Sequence, residues 1–373
     1  MIHFLVPRRQ AFGIRDYLAL EGRGLSGRMS IWPYEDIASR RSLPRGTWIF
    51  SALDQLSPGG MRLALELESQ LRRSPSSSRI VNSPARTLLR FPLLQELHHT
   101  GLNRHGAARA LSDCSGLRFP VFLREEHHHT GPISPLIHSS GELLAELGRA
   151  MFRGYDPASL LVLEYAETVS PDGFYRRYPA FVVGSAIIPR GLSRSRNWMV
   201  KVEGCEFTEA GILEERAYVL GNPHEEQLRK IIEVAGVQYG RIDYAVRDGI
   251  VETWEINLNP TIGPAPGEHL SNLPARLAPL RQLAMDHFYA RFRAALAALD
   301  RAGSEGEPIA VSYPAASLRE AKAMVRPEST SLLPAGLVRL LRPVKPLLNR
   351  LARTAAPLLL GLRRAAGRAR RKG

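Results

Sequence analysis

The stretch GRIDYAVRDGIVETWEINLNP, residues 240–260, decides both the fold and the chemistry that this sequence predicts. Two runs of alternating apolar and polar residues flank Asp248-Gly249, and Asp-Gly between such runs is a strong signal for a β-hairpin. Asp243 lies on the first predicted strand, and Glu255 and Asn257 lie two apart on the second. Residues two apart on a strand share a face, so the hairpin gathers two carboxylates and an amide on one side of a sheet.

Oxygen ligands of this kind suit magnesium, which proteins hold through one or two carboxylates together with nucleotide phosphates. We therefore predict a magnesium site at Asp243, Glu255 and Asn257. A solvated polar face of the sheet is the alternative interpretation. The Asn259-Pro260 pair directly after the second strand favours the metal site.

The sequence before this hairpin alternates between strand and helix patterns. Apolar runs at 2–6, 46–54 and 79–82 predict strands, and residues 12–20 and 61–73 have the spacing of helices. This order is typical of a small α/β unit with a parallel sheet. Further strands are expected at 119–124, 159–167, 176–190 and 197–204, with helices within 83–101, 224–236 and 273–299.

The domain organisation follows from these patterns and from composition. We expect an α/β domain over residues 1–80, a larger mixed domain over 81–300 and a proline-broken linker over 301–330. A basic tail, amphipathic or disordered, occupies 331–373. The predicted fold class is α/β, or α+β where the later strands form antiparallel sheets.

The net charge of +14 is concentrated in that tail. Residues 331–373 contain eleven basic residues and no acidic one, whereas residues 1–330 contain 39 basic and 36 acidic residues. The body is therefore nearly neutral, which is not typical of a protein with a nucleic-acid-binding face. Leucines interleaved with arginines in the tail favour an anionic membrane surface, and we expect no specific nucleic acid because the tail contains no aromatic residue.

Several other motifs have weak support. Gly22, Gly24 and Gly27 spell GxGxxG, but they do not follow a strand and open a helix, so we expect a plain loop. The adjacent histidines at 127–129 would point to alternate faces of a strand, which disfavours a transition-metal site. Cys114 is more consistent with a loop or core residue than with a nucleophile. The two cysteines exclude a disulfide scaffold, and the absence of a long apolar run predicts a cytoplasmic protein.

Residues 241–260 resemble the ATP-grasp family of ATP-dependent carboxylate ligases, whose pattern R-x-D, strand, turn, strand, E-x-N-x-(N/S)-P reads here as RID and EINLNP. The resemblance extends over residues 79–265 and is greatest to a bacterial subgroup. It implies an ATP-grasp fold preceded by a pre-ATP-grasp α/β domain. It also implies that Asp243, Glu255 and Asn257 hold two Mg²⁺ ions on the ATP phosphates, and that Arg241 contacts the acyl-phosphate or tetrahedral intermediate.

The same resemblance implies a set of nucleotide-binding residues. They are phosphate contacts at Arg90, Arg124 and Lys201, an adenine-binding hinge at Glu164, Tyr165 and Ala166, and a ribose contact at Glu167. Arg90 and Arg124 stand where the family usually has lysines. An arginine offers a planar fork rather than a compact charge, so the phosphate contacts would differ in geometry.

The function expected from this resemblance is an ATP- and magnesium-dependent ligase that joins a carboxylate to an amine or thiol through an acyl-phosphate. One alternative is a nucleotide-binding scaffold of the same fold, tethered by its tail to the inner face of a membrane. Another is a phosphotransferase that uses no amine acceptor. The expected partners are a small-molecule or peptide carboxylate and its acceptor.

Overall fold

A computed structural model of the 373-residue chain describes residues 1–73, 78–129, 131–201, 204–263, 273, 275–300, 307–320 and 323–326. Its strands are β1 (Ile2–Val6), β2 (Met29–Pro33), β3 (Ser42–Leu43), β4 (Thr47–Phe50), β5 (Arg79–Val81), β6 (Ala107–Arg109), β7 (Val121–Glu125), β8 (Leu160–Glu164), β9 (Tyr175–Val183), β10 (Ala186–Pro189), β11 (Ser193–Ser195), β12 (Tyr239–Arg247), β13 (Ile250–Asn257) and β14 (Ile309–Ala310). Its helices are α1 (Phe12–Ala19), α2 (Tyr34–Ile37), α3 (Pro58–Arg73), α4 (Arg90–His99), α5 (Ser140–Phe152), α6 (Glu209–Gly221), α7 (Glu225–Ala235), α8 (Ala278–Ala297) and α9 (Ala315–Glu320).

The described chain forms two compact units. The first combines residues 1–93 with residues 168–326, and the second comprises residues 94–167. The N-terminal residues therefore pack with the later part of the chain, and the break between the units falls inside α4. The fold class is mixed α/β, with parallel and antiparallel sheets, as the sequence predicts.

The N-terminal part of the first unit is a parallel sheet of order β2-β1-β4-β5. This confirms the parallel sheet expected from the alternating strands and helices. Strand β2 was not among the predicted strands, because its five residues directly follow the glycine-rich loop. The GxGxxG residues lie in that loop around a short turn at Arg23–Leu25, and not between a strand and a helix.

The second sheet of this unit is antiparallel, of order β10-β9-β12-β13, with β11 pairing on β9. One face packs against α8 and the N-terminal sheet: Phe181 lies 5.1 Å from Phe288 and 5.4 Å from Phe292 between ring centroids, and Phe4 lies 5.2 Å from Tyr239. These residues belong to one buried core that joins the two sheets. The polar residues of the hairpin lie further along the same face.

The second unit is a three-stranded antiparallel sheet of order β6-β8-β7 with α5 against one face. Val121, Leu123, Leu160 and Val162 supply the strand side of the core, and Leu143, Leu147 and Ala150 supply the helix side. Ser139 caps α5 by accepting a hydrogen bond from the Glu142 N–H. Because side chains alternate along a strand, Arg124 projects from the face of this sheet that α5 does not cover.

Several expectations need correction or extension. Residues 197–201 form turns and not the predicted strand, because Ser195 Oγ and Asn197 Oδ1 accept the backbone N–H groups of Asn197 and Met199. Helices α5 and α6 were not anticipated. Within the segment expected to be a linker, β14 pairs with β3 and the Arg326 N–H bonds the Gln55 carbonyl. That part of the segment therefore packs with the N-terminal residues of the first unit.

The basic tail at 331–373 lies outside the described residues, so its predicted state stays a prediction. In the part of the chain that the structure covers, no helix has the length and apolar character needed to cross a bilayer.

Candidate active site on the hairpin

The hairpin β12–β13 pairs the residues that the sequence predicts, with a β-bulge between Asp243 and Tyr244 that shifts the register by one residue. Asp243 is the cross-strand partner of Glu255, and Arg241 is the partner of Asn257. The turn uses positive φ at Asp248 (51°) and Gly249 (74°), as a two-residue hairpin loop requires. All four side chains therefore share one face of the sheet, which continues across Pro179 and Phe181 of β9.

A glycine permits the strands to approach closely at the start of this face. A Cβ at Gly240 would lie 2.8 Å from the carbonyl oxygen of Asn257, closer than real Cβ contacts come. Gly240 therefore keeps the end of β13 flush against β12, where Asn257 must face Arg241.

The NLNP sequence after Glu255 has a structural as well as a chemical part. Asn257 Oδ1 accepts the Asn259 N–H at 2.9 Å, an Asx-type turn that ends β13. Asn259 Nδ2 donates to the Gln10 carbonyl at 3.2 Å, which ties this turn to the loop after β1. The first asparagine thus retains lone pairs for a ligand, while the second anchors the turn.

Arg90 reaches the hairpin because a clamp at Asn82 fixes the preceding loop. Asn82 has φ 57°, and its Oδ1 accepts the N–H groups of Gln238 (2.8 Å) and Tyr239 (2.9 Å), while its Nδ2 donates to the Tyr239 carbonyl (2.6 Å). The loop then follows the end of α7, where the Leu88 N–H bonds the Ala235 carbonyl. The start of α4, and Arg90 with it, is thereby held over β13.

Each predicted metal-binding carboxylate is paired with an arginine. Arg241 Nε and Nη2 donate to the two oxygens of Asp243, each at 2.8 Å, in a bidentate arrangement. Arg90 Nη2 donates to Glu255 Oε2, and the Arg90 side chain is only 4% exposed. Asp243 is also buried, at 3% exposure. The two negative charges are therefore balanced in place, as buried ions require.

The residues present fit a divalent cation by their chemistry. Two carboxylates and an amide oxygen on one sheet face are hard donors of the kind that magnesium prefers. Among the described residues, no group of three or more His, Cys, Asp or Glu side chains is arranged to hold a metal ion. The set on the hairpin differs from such clusters because its third member is an amide.

In the second unit, Arg124 is buried on β7, where its cross-strand partner is Leu161. Its neighbour two residues along the strand direction, Glu126, pairs with Arg109. The face of this sheet opposite α5 therefore carries a buried arginine near the Arg109–Glu126 ion pair.

The hinge predicted for adenine is partly occupied by internal hydrogen bonds. The Glu164 N–H donates to the Gly106 carbonyl at 3.0 Å, and the Tyr165 N–H donates to the Pro120 carbonyl at 2.9 Å. Of the three predicted hinge residues, Ala166 has a backbone N–H that donates to no backbone carbonyl in the described part of the chain. Glu167 is exposed and accepts a hydrogen bond from the Tyr165 hydroxyl at 3.0 Å.

The Glu164 side chain is held by groups that the sequence did not indicate. Its carboxylate accepts bonds from Arg118 Nη2 (2.8 Å), the Arg118 N–H (2.7 Å) and the Gly106 N–H (3.0 Å). Burial raises the pKa of this carboxyl, but the bonds from Arg118 and Gly106 outweigh that effect and leave the pKa below its usual value. Glu164 is thus ionised and fixed inside its unit.

Three further residues singled out in the sequence, Lys201, His127 and Cys114, lie outside the hairpin. Lys201 is exposed, and its carbonyl accepts the Gly204 N–H at 3.0 Å. His127 Nε2 lies 3.8 Å from Glu126 Oε2. Cys114 is half-buried, and its Sγ lies 3.7 Å from the Arg109 carbonyl, consistent with a packed loop residue.

Three solved structures illustrate what the chain is similar to. D-alanine–D-alanine ligase from Bacillus anthracis complexed with ATP is 13% identical, over 79% of this chain and 98% of that one, with a TM-score of 0.41. A RimK domain ATP-grasp protein from Sphaerobacter thermophilus is 15% identical over 78% and 98%, with a TM-score of 0.42. The ATP-grasp ligase PsnB complexed with a precursor variant, Mg and ADP is 12% identical over 77% and 97%, with a TM-score of 0.43.

These solved structures are ATP-grasp ligases. Neither a protein-family model nor a curated protein matches the chain.

Proposed function

We propose that this chain is an ATP- and magnesium-dependent carboxylate ligase that works through an acyl-phosphate attacked by an amine or thiol. The observation that supports it is the shared face of the hairpin, where Asp243, Glu255 and Asn257 lie with Arg241 and Arg90. This donor set, in an arrangement with two guanidiniums, suits a polyphosphate chain and a reacting carboxylate.

The reaction needs charge neutralisation more than covalent help from the protein. A carboxylate is a poor electrophile, and transfer of the γ-phosphoryl group of ATP to it gives an acyl-phosphate and ADP. An amine or thiol then attacks the acyl carbon, and phosphate leaves. Magnesium held by Asp243, Glu255 and Asn257 would supply the positive charge that offsets the ATP phosphates. Arg241, whose planar fork binds Asp243, is assigned to the oxygens of the acyl-phosphate, as the resemblance implies.

The nucleotide contacts in the proposal are those implied by the sequence. Arg90, Arg124 and Lys201 are assigned to phosphates, the hinge residues Glu164 to Ala166 to adenine, and Glu167 to the ribose. Of the hinge N–H groups, that of Ala166 is the best supported, because Glu164 and Tyr165 already donate to carbonyls. The loop that follows β7 is assigned the exclusion of water from the acyl-phosphate, which hydrolyses.

Trapping the intermediate tests this proposal without knowledge of the natural acceptor. The full chain is incubated with ATP, magnesium, hydroxylamine and one acid at a time from a panel of amino acids, dipeptides and small dicarboxylates. We expect acid-dependent hydroxamate and an equal amount of ADP. ADP formed equally with and without acid, and no hydroxamate, would contradict a ligase.

One observation favours the second candidate, a nucleotide-binding scaffold. Both hairpin carboxylates already have guanidinium partners, so a cation must compete with Arg241 and Arg90 for them. A scaffold would bind ATP without acid-dependent turnover, whereas a phosphotransferase would release ADP without needing an amine.

For the ligase and for the scaffold alike, we further propose a cytoplasmic protein whose tail, residues 331–373, contacts the anionic inner face of a membrane.

A further inference from the structure

The face that carries the hairpin carboxylates continues on β9 to Arg177. Pro179 of β9 is the cross-strand partner of Asp243, and Arg177 lies two residues further along, on the same side of the sheet. Two residues of a strand span about 7 Å, so Arg177 marks the far end of the site. On β11 its partner is Ser193.

Arg177 and its neighbour Arg176 make an informative contrast. Arg176, on the opposite face, donates to both oxygens of Asp172 at 2.9 and 2.7 Å and to Glu214 at 2.6 Å. Arg177 has no acidic partner among the described residues. Its Nη2 donates to Ser193 Oγ at 3.2 Å, and its Nε is buried without an acceptor in the described part of the chain.

Nε atoms of this kind occur in several arginines of the described chain, so the lack of an acidic partner is what distinguishes Arg177 from Arg176. Arg177 is half-buried, so the rest of its fork can still be reached from solvent. Ser193 Oγ accepts from Nη2 and fixes the plane of the guanidinium, and its outer edge, formed by Nη1 and the second hydrogen of Nη2, is a planar pair of donors that can bind a carboxylate.

The charges on this face indicate what would occupy that pair of donors. Arg241 and Arg90 each face a carboxylate, so their charges are balanced on the protein. On the strands of this face, in the part that the structure describes, Arg177 adds a positive charge with no such counterpart. A ligand with one reacting carboxylate near Arg241 and a second anionic group near Arg177 would supply the missing negative charge.

We infer that Arg177, oriented by Ser193, binds a second carboxylate of the acid substrate, so the enzyme selects dicarboxylates or acidic residues over their neutral counterparts. This rests on the proposed function for the identity of the ligand as substrate. Arg177 is a specificity-determining residue in this scheme, and it takes no part in phosphoryl transfer.

Binding tests the inference directly. Isothermal titration of the full chain, with magnesium and a non-hydrolysable ATP analogue, compares succinate, glutarate and L-glutamate with succinamate, glutaramate and L-glutamine. We expect each dicarboxylate to bind at least about tenfold more tightly than its monoamide, as one charge-assisted bidentate contact allows. Arg177→Gln removes that preference, and Arg177→Lys retains part of it.

Two further variants guard against a trivial loss of folding. Ser193→Ala leaves the charge of Arg177 but frees its arm, so the preference should weaken without disappearing. Arg176→Gln, on the opposite face, should lower the melting temperature and leave the preference intact. A wild-type chain that binds both members of each pair equally, or binds neither, overturns the inference.

The outcome for the proposed function is read separately. If the dicarboxylate preference is present but no acid yields hydroxamate with hydroxylamine, the ligase proposal fails while the Arg177 site stands. If hydroxamate forms as readily from monoamides as from dicarboxylates, and Arg177→Gln changes neither, the inference fails while the ligase proposal stands.

Discussion

Carboxylates bound by arginine occur in both units, but their settings differ. Asp243 on the hairpin is bound by the side chain of Arg241, whereas Glu164 in the second unit is bound by the side chain of Arg118 and by two backbone N–H groups as well. A side chain can swing away from a carboxylate, but a backbone N–H cannot do so without moving the chain. The comparison separates carboxylates that can change partner from a carboxylate that holds its unit together.

The largest expected effect is on turnover, and it comes from substitution of the two hairpin carboxylates. Asp243→Asn and Glu255→Gln should each lower magnesium-dependent turnover by at least about 100-fold, because an amide cannot replace an anionic ligand. Each variant also removes the carboxylate partner of a buried guanidinium and should lower the melting temperature, so turnover is compared at a temperature at which the variants remain folded. Asp248→Asn, in the exposed turn of the same hairpin, is the matched control and should keep full activity. Near-wild-type turnover in either site variant would refute the metal assignment.

Glu164→Gln tests the other side and should affect stability. Loss of the charge that accepts four donors, the Gly106 N–H and the N–H, Nε and Nη2 of Arg118, should cost about 2 kcal/mol of unfolding free energy at neutral pH, measured with urea. The folded pKa of Glu164 lies below its ordinary value of 4.5, so the stabilisation is complete above that pH and is lost as the pH falls through the folded pKa. The variant should therefore lose less stability than the wild type on acidification.

The control for this experiment is Glu167→Gln, an exposed carboxylate three residues away in the same unit. Its unfolding free energy should match that of the wild type. If Glu164→Gln were equally stable and showed the same acid sensitivity as the wild type, Glu164 would not be the fixed carboxylate described above.

Arg124 sharpens the comparison, because it is a buried arginine that the sequence assigns to ATP and not to the scaffold. Arg124→Ala should weaken ATP binding about tenfold, the usual worth of one hydrogen bond between charged groups. Arg124→Lys, which introduces the residue usual in the family that the sequence resembles, should recover most of the affinity. Fluorescence titration with a labelled ATP analogue gives the measurement, and Arg153→Ala is the control. Unchanged affinity in Arg124→Ala would remove this residue from the site.

The smallest expected effect on turnover comes from the basic tail, residues 331–373, which contains neither of the two carboxylates compared above. A chain ending after Thr330 should keep the turnover of the full chain but no longer sediment with anionic vesicles. Each basic residue near such a surface contributes about 1 kcal/mol, so eleven of them matter before any leucine inserts. Equal sedimentation of both chains would exclude the membrane role, and lost turnover would show that the tail serves the chemistry.

The sequence predicted the parts of the site that depend on local contacts. Asp248-Gly249 sets the hairpin turn, and the register of that turn alone would place Asp243 opposite Trp254. A β-bulge between Asp243 and Tyr244 shifts the register by one residue and pairs Asp243 with Glu255, and the sequence pattern did not indicate this bulge. The pairing of Arg90 with Glu255 spans 165 residues and depends on the loop held by Asn82. No periodicity reports such a contact, and Arg118 was missed for the same reason.

The irregular segments show the same limit. Residues 197–201 have the composition of a strand, but Ser195 and Asn197 capture backbone N–H groups and turn the chain. Arg176 and Arg177 are indistinguishable by residue type. The pairing of β9 with β11 and β12 separates them, since it places one beside Asp172 and the other on the face of Asp243.

The clamp at Asn82 has a consequence for the order of folding. Asn82 joins residues 156 positions apart, and closing a loop of that length carries an entropy cost that a two-residue turn avoids. The hairpin can therefore form early from its own turn, while the guanidinium of Arg90 arrives only after the N-terminal sheet has docked. Before that docking, Glu255 lies on the hairpin in contact with water. The Arg90–Glu255 ion pair therefore forms only when the N-terminal part and the later part of the first unit have come together.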